Sequence, residues 1–142
     1  MSFNLIAAND ALLDPSVMKY SPLDCQRPEL LNKKMVEGKI LLCGYSFNFV
    51  SGTASIKKVS ETARSLGAAG FVVAVENTYA GAKLDPVPVS TPGILIADLT
   101  KSQVLIMNAA SSILVINESC VLSSKIIHSM KSAVHPCLYS HG

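Results

Sequence analysis

A regular pattern of apolar residues follows Ser55 in the middle of the chain. The spacing of three or four residues places these side chains on one face of an α-helix. Ser55 suits the N-cap of this helix, and Gly67 suits a left-handed stop at its end. The sequence therefore predicts a helix that packs on a core through one side. Its apolar positions are Ile56, Val59, Ala63 and Leu66.

Short apolar runs with the length of β-strands lie on both sides of this helix. The run over residues 70–75, with the sequence GFVVAV, is apolar throughout and is bounded by turn residues. Such a run is typical of a strand buried on both faces, so we expect it in the middle of a sheet. The predicted strands are residues 3–7, 39–43, 70–75, 93–97 and 113–116.

Prolines and glycines mark the connections between these elements. Residues 14–28 contain three prolines and are expected to form a surface loop. Pro28 suits the first position of a short helix over residues 29–34 that ends near Gly38. Residues 76–92 form a long loop of the kind that often lies at a binding edge, and Asp98 can cap a helix over residues 99–107. Strands alternate with helices, which indicates an α/β fold with a sheet-based core and two or three helices.

Composition limits the classes of protein that fit this pattern. The chain has 142 residues and 15.0 kDa, the usual size of one domain, and its 49% hydrophobic and 15% charged residues exclude general disorder. The net charge is only +2 and the charged residues are scattered along the sequence, so we expect no nucleic-acid partner. The longest apolar stretch, residues 104–116, contains three polar residues, so we expect no membrane span. The first ten residues lack a basic segment, so we also expect no secretory signal.

Cysteines and histidines are the candidate metal ligands. The four cysteines allow three full pairings, and no two cysteines are spaced as a CxxC pattern. The three histidines lie near the end of the chain without a recognised ligand spacing. We therefore expect no metal and no cofactor. The residues concerned are Cys25, Cys43, Cys120, Cys137, His128, His135 and His141.

Candidate nucleophiles lack the partners that catalysis requires. The hydroxyl-rich stretch over residues 51–55 has no histidine before His128 to act as its base. Cys43 follows a buried run and is expected to be a buried or bridged thiol. The Gly67–Gly70 turn leaves a helix and enters a strand, whereas a phosphate-binding loop does the reverse. We therefore expect no catalytic residue.

Several segments resemble the protease-associated (PA) domain of plant subtilisin-like serine proteases. Residues 24–43 are similar to its opening pattern, a cysteine followed by V-x-G-K-I-x-L-C, which reads VEGKILLC at residues 36–43. The similarity continues through GTASIKKV at 52–59, LGAAGFV at 66–72, VPV at 87–89 and PGILI at 92–96. FNLIAAND at residues 3–10 resembles the segment that leads into that domain.

The resemblance implies a PA domain of the swivelling β/β/α type over residues 3–103, followed by an unmatched tail over residues 104–142. It also implies a disulfide between Cys25 and Cys43, because both cysteines coincide with the bridged pair of that family. In the family this domain is inserted between the catalytic histidine and serine and contributes no triad residue. The sequence contains none of the Asp-Ser/Thr-Gly, His-Gly-Thr and Gly-Thr-Ser-Met motifs of the peptidase.

The function implied by the resemblance is non-catalytic: a module that restricts substrate access or binds proteins. Its partner would be a peptide or protein substrate of the parent protease, or a second copy of the domain. The parent family is extracellular or in the cell wall, and in that setting the sequence Asn-Glu-Ser makes Asn117 a candidate glycosylation site. Two alternatives stay open, a PA-domain receptor for cargo or peptides and a free-standing enzyme with a Cys or Ser nucleophile.

Overall fold

A computed structural model describes residues 2–16, 22–75, 89–96, 99–100, 102–103, 113–116, 129–130 and 138–141. Its strands form one sheet in the order β6-β4-β3-β2-β1-β5-β7. Strands β1 to β4 are parallel and β6 joins β4 in parallel, whereas β5 pairs antiparallel with both β1 and β7. The strands are β1 (Ser2–Ala7), β2 (Ile40–Tyr45), β3 (Gly70–Val75), β4 (Gly93–Ile96), β5 (Ile113–Ile116), β6 (Ser129–Met130) and β7 (Leu138–His141).

Along the sequence, the helices lie in the connections between the parallel strands. The predicted α/β class is therefore confirmed. They are α1 (Lys33–Val36), α2 (Phe47–Ser51) and α3 (Ile56–Ser65). Single 3₁₀ turns occupy Ala8–Ala11, Pro22–Asp24 and Pro28–Leu30. Residues 99–100 and 102–103 are helical, within the helix predicted over 99–107. Among the described residues, no helix has the length and apolarity that a membrane span requires.

Helix α3 matches its prediction closely. The Lys58 N–H donates to the Ser55 hydroxyl at 3.2 Å, so Ser55 is the N-cap. Gly67 has φ of +72° and ends the helix in the left-handed conformation that glycine adopts without strain. Val59 and Ala63 are completely buried, and the 67–70 turn leads from the helix into β3 as expected.

The short helix predicted at residues 29–34 is displaced. Pro28 begins only a 3₁₀ turn, and Leu31 then forms an antiparallel bridge with Leu12. The α-helix begins after Asn32, whose side chain accepts a hydrogen bond from the Lys34 N–H. The bridge between Leu12 and Leu31 extends the backbone just where the helix was predicted, and this pairing depends on a residue far away in the sequence.

The prediction of a surface loop over residues 14–28 is wrong at residues 23–25. Leu23, Asp24 and Cys25 are all buried, with Cys25 fully so. Residues 17–21 lie outside the described residues. A disulfide to β2 draws Cys25 into the interior, and this covalent link overrides the polar and proline-rich character of the segment.

The central strands β2 and β3 are buried on both faces, and alternate residues of each strand face opposite sides. One face packs against α3 and α1 and includes Leu41, Cys43 and Tyr45 of β2. The other face includes Ile40 and Leu42 of the same strand. All six residues of β3 are buried, which confirms the prediction of an interior strand. The largest fully buried side chains include Ile40, Leu41, Leu42, Phe71, Val72, Val73 and Leu95.

Buried hydroxyl groups tie the connections to the sheet and to α3. Ser60 of α3 accepts hydrogen bonds from the N–H groups of Ser90 and Thr91, at 3.1 and 3.0 Å. Ser102 accepts from the Val75 N–H at 3.1 Å and donates to the Ile96 carbonyl at 3.1 Å. These contacts hold the segment that enters β4 against α3 and join the ends of β3 and β4.

The hydroxyl group of Thr62 is the contrasting case, because it is buried without a hydrogen-bond partner among the described residues. We expect Thr62→Val to raise the free energy of unfolding by about 1 kcal/mol, since it removes a desolvated polar atom at constant shape. Thr91→Val is the matched control, because the Thr91 hydroxyl donates to the Ser60 carbonyl at 3.2 Å. Thr91→Val should instead lower the free energy of unfolding by about 1–2 kcal/mol. Urea titration of both variants checks the pair, and destabilisation by Thr62→Val would contradict the expectation.

Candidate interaction surface

The carboxyl end of β2 leads directly into α2, at the edge of the parallel sheet. In open α/β sheets, ligands commonly bind outside the carboxyl ends of the strands. Residues 46–55, which comprise α2 with its cap and the turn to α3, are called the α2 surface below. Residues 51–55 were considered above only as a hydroxyl-rich stretch that could hold a nucleophile, and the helix was not predicted.

Helix α2 is short but has defined ends. The Ser46 hydroxyl accepts a hydrogen bond from the Asn48 N–H at 3.3 Å, and Gly52, with φ of +84°, ends the helix. Phe49 stacks on the Tyr45 ring with the centroids 4.7 Å apart. Phe49 is partly buried against the core, whereas Phe47 is 61% exposed.

The turn after α2 folds back on Asn48. The Asn48 carbonyl accepts hydrogen bonds from the Ala54 N–H at 2.9 Å, the Ser51 hydroxyl at 3.1 Å and the Thr53 hydroxyl at 3.2 Å. The two hydroxyl oxygens are themselves 3.0 Å apart. Residues 48–54 therefore form one small hydrogen-bonded unit between β2 and α3.

The predicted disulfide between Cys25 and Cys43 is present. Their Cα atoms are 5.8 Å apart, and both residues are completely buried. Cys43 lies in the middle of β2, on the face that packs against the helices. The bond therefore attaches the segment around Cys25 to the interior of the sheet.

The two neighbours of Cys25 hold the α2 surface in place. The Asp24 carboxylate accepts from the Asn48 side-chain amide at 3.0 Å and from the Gln26 N–H at 3.2 Å. The Gln26 side chain accepts from the Ser55 N–H at 3.0 Å and donates to the Ser55 carbonyl at 3.2 Å. Both side chains thus bridge residues that are distant in sequence, and Gln26 fixes the N-cap of α3.

The α2 surface contains no charged residue. The nearest charges along the chain are Lys57 and Lys58 on α3, and Lys58 forms an exposed ion pair with Glu61 at 3.9 Å. On a separate, exposed turn, hydrogen bonds from the Ser16 hydroxyl and N–H lower the pKa of Asp14. A segment that has no charged residue of its own and carries an exposed aromatic ring is typical of a contact with protein.

The candidate nucleophiles have structural roles. Ser51 bonds within the turn, Ser55 caps α3, and Cys43 is held in the disulfide. Among the histidines, the structure describes only His141, in β7, which is three strands away from β2. At about 4.8 Å per strand, their backbones are about 14 Å apart. The described residues therefore assemble no Ser-His pair at the α2 surface.

Several predicted site residues lie outside the described residues. The described part of the chain contains no group of three or more His, Cys, Asp or Glu side chains that could hold a metal ion. The glycosylation of Asn117 stays a prediction. The residues outside the description are Asn117, Cys120, His128, His135 and Cys137.

Comparison with known families identifies the domain. The family model described as the PA domain matches residues 5–105, which include the disulfide, the α2 surface and strands β2 to β4. The chain belongs to the PA domain family. No solved structure matches this PA domain chain.

The similar curated proteins are plant proteases. Over 112 residues, 78% of this chain, it is 66% identical to the subtilisin-like protease SBT2.5 of Arabidopsis thaliana. It is 67% identical over 105 residues to SBT2.6 and 38% identical over 91 residues to SBT2.1 of the same plant. The PA domain chain spans 14% of the length of SBT2.5 and 13% of that of SBT2.6. The resemblance to the PA domain of plant subtilisin-like proteases is thereby confirmed.

Proposed function

We propose that the chain acts as a non-catalytic PA domain of a subtilisin-like serine endopeptidase and controls access of substrate or binds protein. The observation that carries this proposal is the 66% identity to a subtilisin-like protease of which the chain spans only 14%. The sequence contains none of the three peptidase motifs, and the serines at the α2 surface have structural roles. The contact with substrate or partner is assigned to the α2 surface.

The composition of this surface supports that assignment. Aromatic residues are enriched and charged residues depleted at the centre of protein interfaces. Phe47 is an exposed aromatic ring on an uncharged surface, and its helix is anchored by the Tyr45–Phe49 stack and by Asp24. A rigid aromatic anchor loses little conformational freedom on binding, which favours affinity.

The remaining parts of the proposal concern extent and location. We assign the PA domain to residues 3–103 and treat residues 104–142 as an extension, from which β5, β6 and β7 join the sheet. The Cys25–Cys43 disulfide supports action in an oxidising compartment such as the cell exterior.

The purified chain should not hydrolyse peptides or proteins. Peptidase chemistry needs a nucleophile, a base and oxyanion donors within hydrogen-bond reach of one another, and the described residues bring no such set together. The measurement is release of fluorescence from a labelled casein and from a mixed peptide library. Hydrolysis that a serine-protease inhibitor abolishes would contradict the proposal.

The role of the α2 surface is tested in a protease that carries this domain. Residues 5–105 replace the matching segment of SBT2.5, and Phe47→Ser is then introduced. We expect KM for a protein substrate to rise about tenfold with kcat unchanged, because the ring contributes binding and no chemistry.

Leu13→Ser is the matched control for this experiment. Leu13 is 60% exposed, like Phe47, but it lies outside the α2 surface. It should leave KM within about twofold of the parent value. Equal effects of the two substitutions would contradict the assignment of the contact to the α2 surface. A change in sedimentation with Phe47→Ser alone would identify a second copy of the domain as the partner.

A further inference from the structure

We propose that the Cys25–Cys43 disulfide controls the order of the α2 surface, so that its reduction loosens residues 46–55 while the sheet stays folded. The proposal concerns the conformation of this segment alone. It therefore holds or fails independently of whether the α2 surface contacts a protein.

The coupling runs through the residues on both sides of Cys25. Asp24 holds Asn48, the residue on which the turn after α2 closes. Gln26 holds the backbone of Ser55 through both its N–H and its carbonyl. The disulfide fixes the position of both side chains, because it links the residue between them to the middle of β2.

The backbone at Cys25 adds to this dependence. Cys25 has φ of +56°, and it is the one non-glycine residue with a positive φ among those described. This left-handed conformation is unfavourable for a residue with a side chain, and it persists only where its surroundings enforce it. Without the bond to Cys43, Cys25 is free to relax to a common backbone conformation. Asp24 and Gln26 then turn away from their partners.

The sheet depends much less on the disulfide. Strand β2 is paired along its whole length with β3, from Ile40 to Tyr45, and it also pairs with β1. Its side chains are buried on both faces. Loss of one covalent link leaves these backbone ladders intact, so opening is confined to a local unit.

The chemical step is reduction by a dithiol. The sulfur–sulfur bond accepts two electrons and two protons and becomes two thiols, while the dithiol loses the same electrons and protons and becomes a disulfide. Both cysteines are completely buried, so the dithiol reacts only when this segment opens. Reduction is therefore slow in the folded protein, and the reduced state once formed is the loosened one.

Amide hydrogen exchange measured by mass spectrometry tests the proposal on the full chain. The oxidised protein is compared with dithiol-reduced protein and with the variant that combines Cys25→Ala and Cys43→Ala. We expect amides of residues 47–55 to exchange at least about tenfold faster in both altered forms, with those of β2 and β3 within about threefold of the oxidised protein. Equal acceleration everywhere, or no acceleration at residues 47–55, would overturn the proposal.

Gln26→Ala in the oxidised protein tests the route of the coupling and avoids any loss of fold caused by removing the cysteines. It should accelerate exchange at residues 53–58 several-fold, and Gln103→Ala, at an exposed glutamine, is the control that should not. In reduced protein, Gln26→Ala should have almost no further effect, because its contact is already lost. Independent, multiplying effects of reduction and Gln26→Ala would show that the disulfide does not act through Gln26.

Discussion

Val59→Asp should lower the free energy of unfolding by about 4 kcal/mol, a large part of the roughly 5–15 kcal/mol that holds a typical domain together. Val59 is completely buried in the core cluster between α3 and the sheet. A carboxylate at this position would lose its water and gain no partner, and the apolar contacts of the valine would also be lost. Urea titration followed by far-UV circular dichroism measures the change.

Lys57→Asp is the matched control on the same helix. Lys57 is exposed in the first turn of α3, where a negative charge interacts favourably with the helix dipole. Its effect should stay within about 0.5 kcal/mol. If Val59→Asp prevents folding altogether, Val59→Ala replaces it, with an expected loss of about 2 kcal/mol. Stability unchanged in both Val59 variants would contradict the burial of this side of α3.

Gly93→Ala should lower the free energy of unfolding by about 3 kcal/mol, although it adds only one methyl group. A Cβ atom on Gly93 would overlap the ring of Phe71 on the neighbouring strand. Phe71 is itself 2% exposed and packed in the core, so its ring has no room to move aside. Thermal unfolding of the oxidised protein would show the loss as a fall in Tm.

A double-mutant cycle with Phe71→Leu separates this clash from other effects of the methyl group. Phe71→Leu destabilises by itself, but it removes the ring that the new methyl group meets. In that background Gly93→Ala should cost at least about 1 kcal/mol less than in the parent protein. Costs that add without coupling would mean that Gly93 is needed for a reason other than the approach of Phe71.

The sequence predicted those elements whose signals are local. Helix α3 has its cap, its apolar spacing and its final glycine within thirteen consecutive positions, from Ser55 to Gly67. Strand β3 is apolar throughout because both faces of a parallel sheet are covered. In these segments local preference and tertiary packing favour the same structure, which is why the predictions were confirmed.

Elements that depend on distant partners were predicted less well. The displacement of α1 comes from the bridge of Leu31 with Leu12, and the burial of residues 23–25 comes from the bond to Cys43. Helix α2 is different, because its cap at Ser46 and its stop at Gly52 are local signals from which the helix could have been predicted. The hydrogen bonds between Asp24 and Asn48 and between Gln26 and Ser55 could not be predicted from local sequence, since the partners lie more than twenty positions apart.

The order of strands in the sheet has a consequence for folding during synthesis. Strands β1 to β4 are neighbours in space in the same order as in the sequence, so each can pair with the one before it as the chain emerges. The other edge of β1 is covered by β5, so Ser2 of β1 can pair only after Val115 has been synthesised. Until then this edge presents unpaired backbone groups, which can pair with another chain. The edge of β1 is therefore one site from which we expect newly made protein to aggregate, and at which chaperones that bind extended apolar segments should protect it.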